Sequence, residues 1–215
     1  MMQPGIDEGR IHPTAIVEPG VSIGSRTAVW DGVHLRGPSS IGHDCIVGEK
    51  TYIAYGVTVG NYVKINAHAY VCAGVTIEDR AFIGAGAIFT NDRYPRAFSD
   101  GCEGLAPSEP TAETPRTTVR TGATIGAGAL VGPGVEIGCY AMVGMGAVVV
   151  HAVPPHGLVY GTPARLHGHA CICGAPLDAI GGGAAKQDGA RTCARCGRRY
   201  LLPEGPMDLA VSLRD

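Results

Sequence analysis

The chain has 215 residues and a formal net charge of −2, with 33 glycines against one tryptophan, three phenylalanines and eight tyrosines. That balance gives no electrostatic argument for nucleic acid or an anionic membrane surface, and no apolar run approaches the roughly 18 residues of a spanning helix. Few rings and many glycines suit a repeat with a narrow interior and tight turns.

Residues 1–10, MMQPGIDEGR, show no periodicity and no signal-peptide core, which predicts a cytoplasmic protein. From Ile11 every sixth residue is apolar without a slip: Ile11, Val17, Ile23, Val29, Leu35, Ile41, Val47, and on through Ile65, Val71, Ile77 and Ile83 to Phe89. Four places after each stands a small or β-branched residue, such as Ala15, Thr27, Cys45, Val63 or Ala87. A period of six fits neither an α-helix nor an alternating strand. It fits an all-β solenoid of hexapeptide repeats, a parallel β-helix whose three short flats make an 18-residue coil. The every-sixth residues should point inward from residue 11 to about 153. Fourth positions are often glycine (Gly20, Gly32, Gly56, Gly74, Gly86, Gly128, Gly146), as a turn with unusual backbone geometry requires.

The period vanishes over residues 91–116, NDRYPRAFSDGCEGLAPSEPTAETPR, and resumes in phase at Val119. This reads as a long loop inserted in the helix, and long loops on rigid scaffolds often carry function. Its first part, Asn91, Asp92, Arg93 and Arg96, is dense in hydrogen-bonding groups. After Val149, Pro154-Pro155 ends the last flat and GTPAR (161–165) follows. The helix domain is therefore drawn at 11–165 and a small module at 166–202, with 1–10 and 203–215 as terminal segments. The tail carries too little pattern to place, although Leu209, Val211 and Leu213 suit an edge strand.

Three groups invite chemistry. His68 occupies a fourth position, and counting by coils sets Gly86, Gly128 and Gly146 in a lane beyond it. A histidine beside a bare groove is a candidate general base, since its usual pKa lies near neutrality. It is equally a plain turn residue, because histidine is enriched at positive φ. Lane N–H groups are the expected donors to an oxyanion. Cys171, Cys173, Cys193 and Cys196 form C-x-C and C-x-x-C pairs, each followed by glycine, which matches two knuckles of a tetrahedral structural Zn2+ site; His167 or His169 stands near enough in sequence to replace one ligand. Read alone, the GTPAR segment is a cap with one charge.

GAVVVHAVPPHGLVYGTPAR resembles the last coil and exit segment of hexapeptide-repeat acyltransferases with a left-handed β-helix. INAHAYVCAGVTIEDRAFIGAGAIFTNDRYPRA is similar to the branch that N-acetylates UDP- or dTDP-linked amino sugars. The resemblance implies acetyl-CoA as cosubstrate, a nucleotide-linked amino sugar as acceptor, and a homotrimer with sites between subunits. It also implies roles for residues: His68 catalytic; Asn66, Asn91, Asp92, Arg93 and Arg96 at the acceptor; Gly128, Gly146, Gly161, Pro163, Ala164 and Arg165 at coenzyme A. A four-cysteine zinc ribbon follows the helix in some relatives. Where some place a second histidine, this chain has Ala85.

Two other readings stay open: O-acetylation of a sugar or other hydroxyl compound by the same superfamily, and a non-catalytic β-helix scaffold whose zinc piece binds a partner. A β-helical carbonic anhydrase needs three converging histidines, and the one H-x4-H spacing, His151/His156, lies beyond the last flat beside two prolines.

Overall fold

The computed structural model describes residues 9–98, 101–106, 109–177 and 190–201, with the backbone of 212–213. Each hexad forms a strand of two or three residues and a tight turn, and every third strand stacks in parallel. The first face runs from Arg10–Ile11 through Lys64–Ile65 to Met142–Val143, the second from Ile16–Val17 through Tyr70–Val71 to Val148–Val149, and the third from Val21–Ile23 through Val75–Ile77 to Glu136–Ile137. Ile65 pairs with Val47 below and Ile83 above, 18 residues each way. Among the described residues no helix is long and apolar enough to cross a membrane.

Side chains alternate across each short strand, so the second residue of the pair enters the core. Val47, Ile53, Ile65, Ile83, Ile125 and Ile137 are fully buried, with Ala69, Ala87, Ala123 and Ala129 at the small positions. Thr27 and Thr51 take small positions too, and their hydroxyls donate to the carbonyls of Gly42 (2.7 Å) and Asn66 (3.1 Å) in the next coil, which satisfies an otherwise buried polar group. The expectation of burial fails in the first coil, where Ile11 is 51% exposed and Val17 37%. A solenoid rung is covered by its two neighbours, and the described residues put a rung on only one side of these two.

Across the insertion Ile77 pairs with Val119, 42 residues on rather than 18, so 24 residues are added without disturbing the stack. Beyond Val149, Val153 bridges to Ile137. Gly157–Gly161 then adds a parallel rung to the first face, and Ala164–His169 turns back antiparallel on it, so the boundary drawn at residue 165 falls inside a strand. Ala190–Thr192 and Arg199–Leu201 form a hairpin, and Ser212–Leu213 pairs on its other strand, where Leu213 had suggested an edge; Leu209 and Val211 lie outside the described residues.

Counting by 18 sorts the turns into three corners. The third, from the third face back to the first, is filled: Asp44 accepts hydrogen bonds from Arg26 and lies against the His43 ring. These two neighbours hold the Asp44 carboxyl down to about 2. Arg80 stands over the Tyr62 ring, and Tyr140 stacks on His156. His156 is the joint to the C-terminal module: its N–H and Nδ1 engage Cys139 and Ala170, and Tyr200 meets its ring edge-on.

Candidate functional site

The first corner, between the first and second faces, is the opposite of the third. From the second coil upward its fourth positions are Gly32, Lys50, His68, Gly86, Gly128 and Gly146, all in the left-handed region with φ between 56 and 67°. An L-residue rarely adopts this geometry, so glycine is the least costly occupant. A Cβ added at Gly86, Gly128 or Gly146 would meet nothing within 4 Å. The lane is therefore open space above His68, three rungs or roughly 14 Å long at the inter-strand spacing. His68 is exposed, with φ 60°, and its ring has no hydrogen-bond partner among the described residues. Asn66 lies two residues earlier on the same turn.

The expected oxyanion donors need correction. The N–H groups of Gly86, Gly128 and Gly146 already donate to the carbonyls of Ala67, Ala85 and Ala127, one rung below. This is how each turn locks to the previous one. The third positions differ: the N–H groups of Ala85 and Ala127 have no backbone partner in the described structure.

The loop leaves from the second corner, so Asn91, Asp92, Arg93 and Arg96 lie across the second face from His68 within one chain. Their side chains partly hold the loop itself. Asn91 donates to the Ala73 carbonyl (3.2 Å), Asp92 accepts from the Tyr94 N–H (2.9 Å), and Arg96 donates to the Pro95 carbonyl (2.9 Å). Asn91, Asp92, Arg93 and Tyr94 face Glu109, Thr111 and Glu113 across a cleft of about 700 Å³. At the top of the solenoid, Ala164 and Arg165 line a second cavity of about 220 Å³ with His151, Val153 and Leu166. Gly161 and Pro163 form the hairpin turn between them and Tyr160, whose ring stacks on His167 at 3.6 Å. Tyr160 stands directly above Gly144, two residues before the lane's last glycine, Gly146.

The four cysteines converge. Their sulfurs all lie within 4.8 Å of one another, with Cys171–Cys196 at 3.4 Å and Cys173–Cys193 at 3.6 Å. Four thiolates at about 2.3 Å from one ion stand about 3.8 Å apart in a tetrahedron, and a disulfide needs about 2.05 Å, so the set fits a metal. The Arg198 N–H and then its guanidinium hold the Cys196 thiol down to about 6, which favours the ligating thiolate. Both knuckle glycines have positive φ, 83° at Gly174 and 74° at Gly197. His169 is engaged with Arg191 and His167 with Tyr160, and neither joins the cluster. Sequence gave no hint of Tyr200, fully buried, whose hydroxyl lies 3.0 Å from the Cys171 sulfur and accepts from the Ile172 N–H. It also passed over Lys50, one rung below His68; counting down by 18 as well as up finds it.

Residues 56–91 match the family described as bacterial transferase hexapeptide (six repeats), and residues 38–73 match the hexapeptide repeat of succinyl-transferase. The chain is 38% identical over 90 residues to a dTDP-3-amino-3,6-dideoxy-alpha-D-galactopyranose 3-N-acetyltransferase of Aneurinibacillus thermoaerophilus, covering 42% of this chain and 43% of that protein. It is 39% identical over 59 residues to an acyl-(acyl-carrier-protein)–UDP-N-acetylglucosamine O-acyltransferase of Brucella ovis, covering 27% of this chain and 21% of that one. The matches thus span less than half the length of these curated relatives. A mutant of AntD, an N-acyltransferase from Bacillus cereus solved with dTDP and coenzyme A, shares the fold with a TM-score of 0.57 at 21% identity, over 72% of this chain and 90% of that chain.

Proposed function

We propose that this chain transfers an acetyl group from acetyl-CoA to the amine of a nucleotide-linked amino sugar. The observation that carries the reading is the open lane: three rungs of glycine and alanine beginning at an unengaged histidine, long enough for the extended arm of coenzyme A. The activity of the Aneurinibacillus relative supplies the acceptor class. In this reading the neutral amine attacks the thioester carbonyl, the Ala85 N–H faces the oxyanion, His68 takes the amine proton, and the thiolate of coenzyme A leaves. Gly161, Pro163, Ala164 and Arg165 would hold the far end of coenzyme A.

A homotrimer belongs to the same reading. Apart from His34, which pairs with Glu18, the outward residues of the second face are apolar or aromatic, with Ile16, Tyr70, Ile88 and Leu130 exposed, whereas Ser22, Ser40, Thr58, Thr76 and Thr118 line the third. Apolar residues on one face favour a protein partner there. A neighbour seated on it would bring its second-corner loop, with Asn91, Asp92, Arg93 and Arg96, toward His68. The reading places the enzyme in the cytoplasm, where thiols stay reduced.

The test is release of free thiol from acetyl-CoA with a panel of nucleotide-linked amino sugars and their hydroxyl counterparts. Turnover confined to the amines is expected, from a particle that light scattering sizes as a trimer; turnover confined to hydroxyls, or none, overturns the reading. Gly128→Asn refines it, because asparagine tolerates the turn geometry and puts a side chain into the lane. We expect a fold unchanged by circular dichroism and a KM for acetyl-CoA raised about tenfold or more, one lost contact's worth.

We propose further that the four cysteines hold one structural Zn2+ per chain, since the protein fills all four positions and leaves none for a substrate. Cys196→Ser, or exhaustive chelation, should release the metal and loosen residues 170–201 to hydrogen exchange while the solenoid keeps its circular dichroism. Elemental analysis near one equivalent in wild type, and well below it in the variant, checks the assignment.

A further inference from the structure

Below His68 the first corner changes character. Lys50 occupies the next fourth position down, and its stem passes over Gly32, where an added Cβ would meet the Lys50 Cγ at 3.1 Å. The side chain therefore leans toward the coil of Trp30, a residue 42% exposed. Arg10 stands over one face of that ring, 5.9 Å from its centroid. Lys50 takes part in no ion pair or side-chain hydrogen bond among the described residues, and neither does the indole N–H of Trp30. Asp31 and Glu49 are the third positions of the same two turns, the first half-buried and the second exposed.

An exposed tryptophan, a lysine rooted one rung above it that leans toward its coil, and a histidine rooted one rung higher follow one another along the first corner. A flat base stacks on an indole, and a cation over the same ring adds to the attraction for an anionic ligand. An ammonium held at the surface meets phosphate oxygens as a point charge. The spacing, roughly 5 Å per rung, sets the base, diphosphate and sugar of one ligand against three successive turns. Carboxylates beside the lysine offer acceptors to ribose or sugar hydroxyls.

We infer that the stretch of the first corner below His68 is a nucleoside-diphosphate subsite, in which Lys50 binds the diphosphate and Trp30, backed by Arg10, stacks on the base. The inference rests on the acetyltransferase reading, and it divides the corner at His68. The acyl carrier lies above and the nucleotide end of the acceptor below. No residue of this subsite belongs to the loop.

Trp30 is the sole tryptophan, so its emission reports on this position alone. Titrating the full chain with dTDP and with UDP should quench that emission saturably. Lys50→Met should need about tenfold more nucleotide for the same quench, as befits losing one charge-assisted contact. In turnover the same variant should raise KM for the nucleotide-linked amino sugar about tenfold, leaving KM for acetyl-CoA and the slow use of the free amino sugar unchanged. Emission indifferent to both nucleotides at millimolar concentration overturns the subsite, as does equal affinity in wild type and Lys50→Met. Because binding is read without turnover, an active acetyltransferase with an unresponsive Trp30 loses this subsite and keeps its activity. Saturable quenching that Lys50→Met weakens, in a protein that acetylates no amino sugar, upholds the subsite and rejects the activity.

Discussion

Ile65→Asp should yield no folded protein, while Lys64→Asp, one residue earlier on the same strand, should fold like wild type. Ile65 is fully buried between Val47 and Ile83, and Lys64 points to solvent. A carboxyl at position 65 has no partner in a core of aliphatic side chains. Placing it there costs several kcal/mol whether it ionises or takes up a proton, on top of the roughly 2–5 kcal/mol lost with the isoleucine side chain. Domain stabilities of about 5–15 kcal/mol leave little after that. The paired variants make the result specific, since a non-native register would reverse them. Thermal melts followed by circular dichroism decide it: a cooperative transition for Lys64→Asp and none for Ile65→Asp.

His68→Asn and His68→Ala should each lower kcat by about 10²-fold, the low end for a lost general base, because water can take the amine's proton instead. KM for acetyl-CoA should stay put, since the lane above is untouched. The asparagine variant carries the argument, as it accepts the left-handed turn geometry that His68 holds at φ 60°. Alanine confounds the loss of a base with about 1–2 kcal/mol of turn strain. The deficit should shrink as pH rises and hydroxide takes the proton that the nitrogen sheds after its attack. Full activity of both variants across about pH 6 to 9 would reduce His68 to a turn residue.

Much of this architecture is written in the residues, because a six-residue period leaves each aliphatic side chain one inward direction. Ile65 over Val47 and His68 below Gly86 both follow from counting by 18. The exposure of Ile11 and Val17 does not, since the period describes a coil in mid-stack and says nothing of which rungs are covered. The N–H groups of Gly86 and Gly128 were misjudged for a related reason: sequence shows where a turn is glycine but not that its amide locks to the rung beneath. The separation of His68 from Asn91 and Arg93 was countable, as the loop departs one flat further along. Their meeting needs a second chain, and no single sequence displays a neighbour. At the cysteine cluster the spacing named four sulfurs. Tyr200 beneath them depends on how a hairpin folds over Cys171, and pattern alone does not carry that.

The insertion between Phe89 and Thr117 leaves and rejoins the solenoid at one corner, adding 24 residues while Ile77 still pairs with Val119. Among the described residues the rungs therefore keep one register on both sides of the loop. Such a joint makes the loop a detachable part. A descendant can lengthen it, trade it or lose it in one step and keep every rung, whereas an insertion within a flat that is not a multiple of six shifts all later side chains out of phase. Selection can then act on the loop alone, leaving the lane beside His68 as inherited.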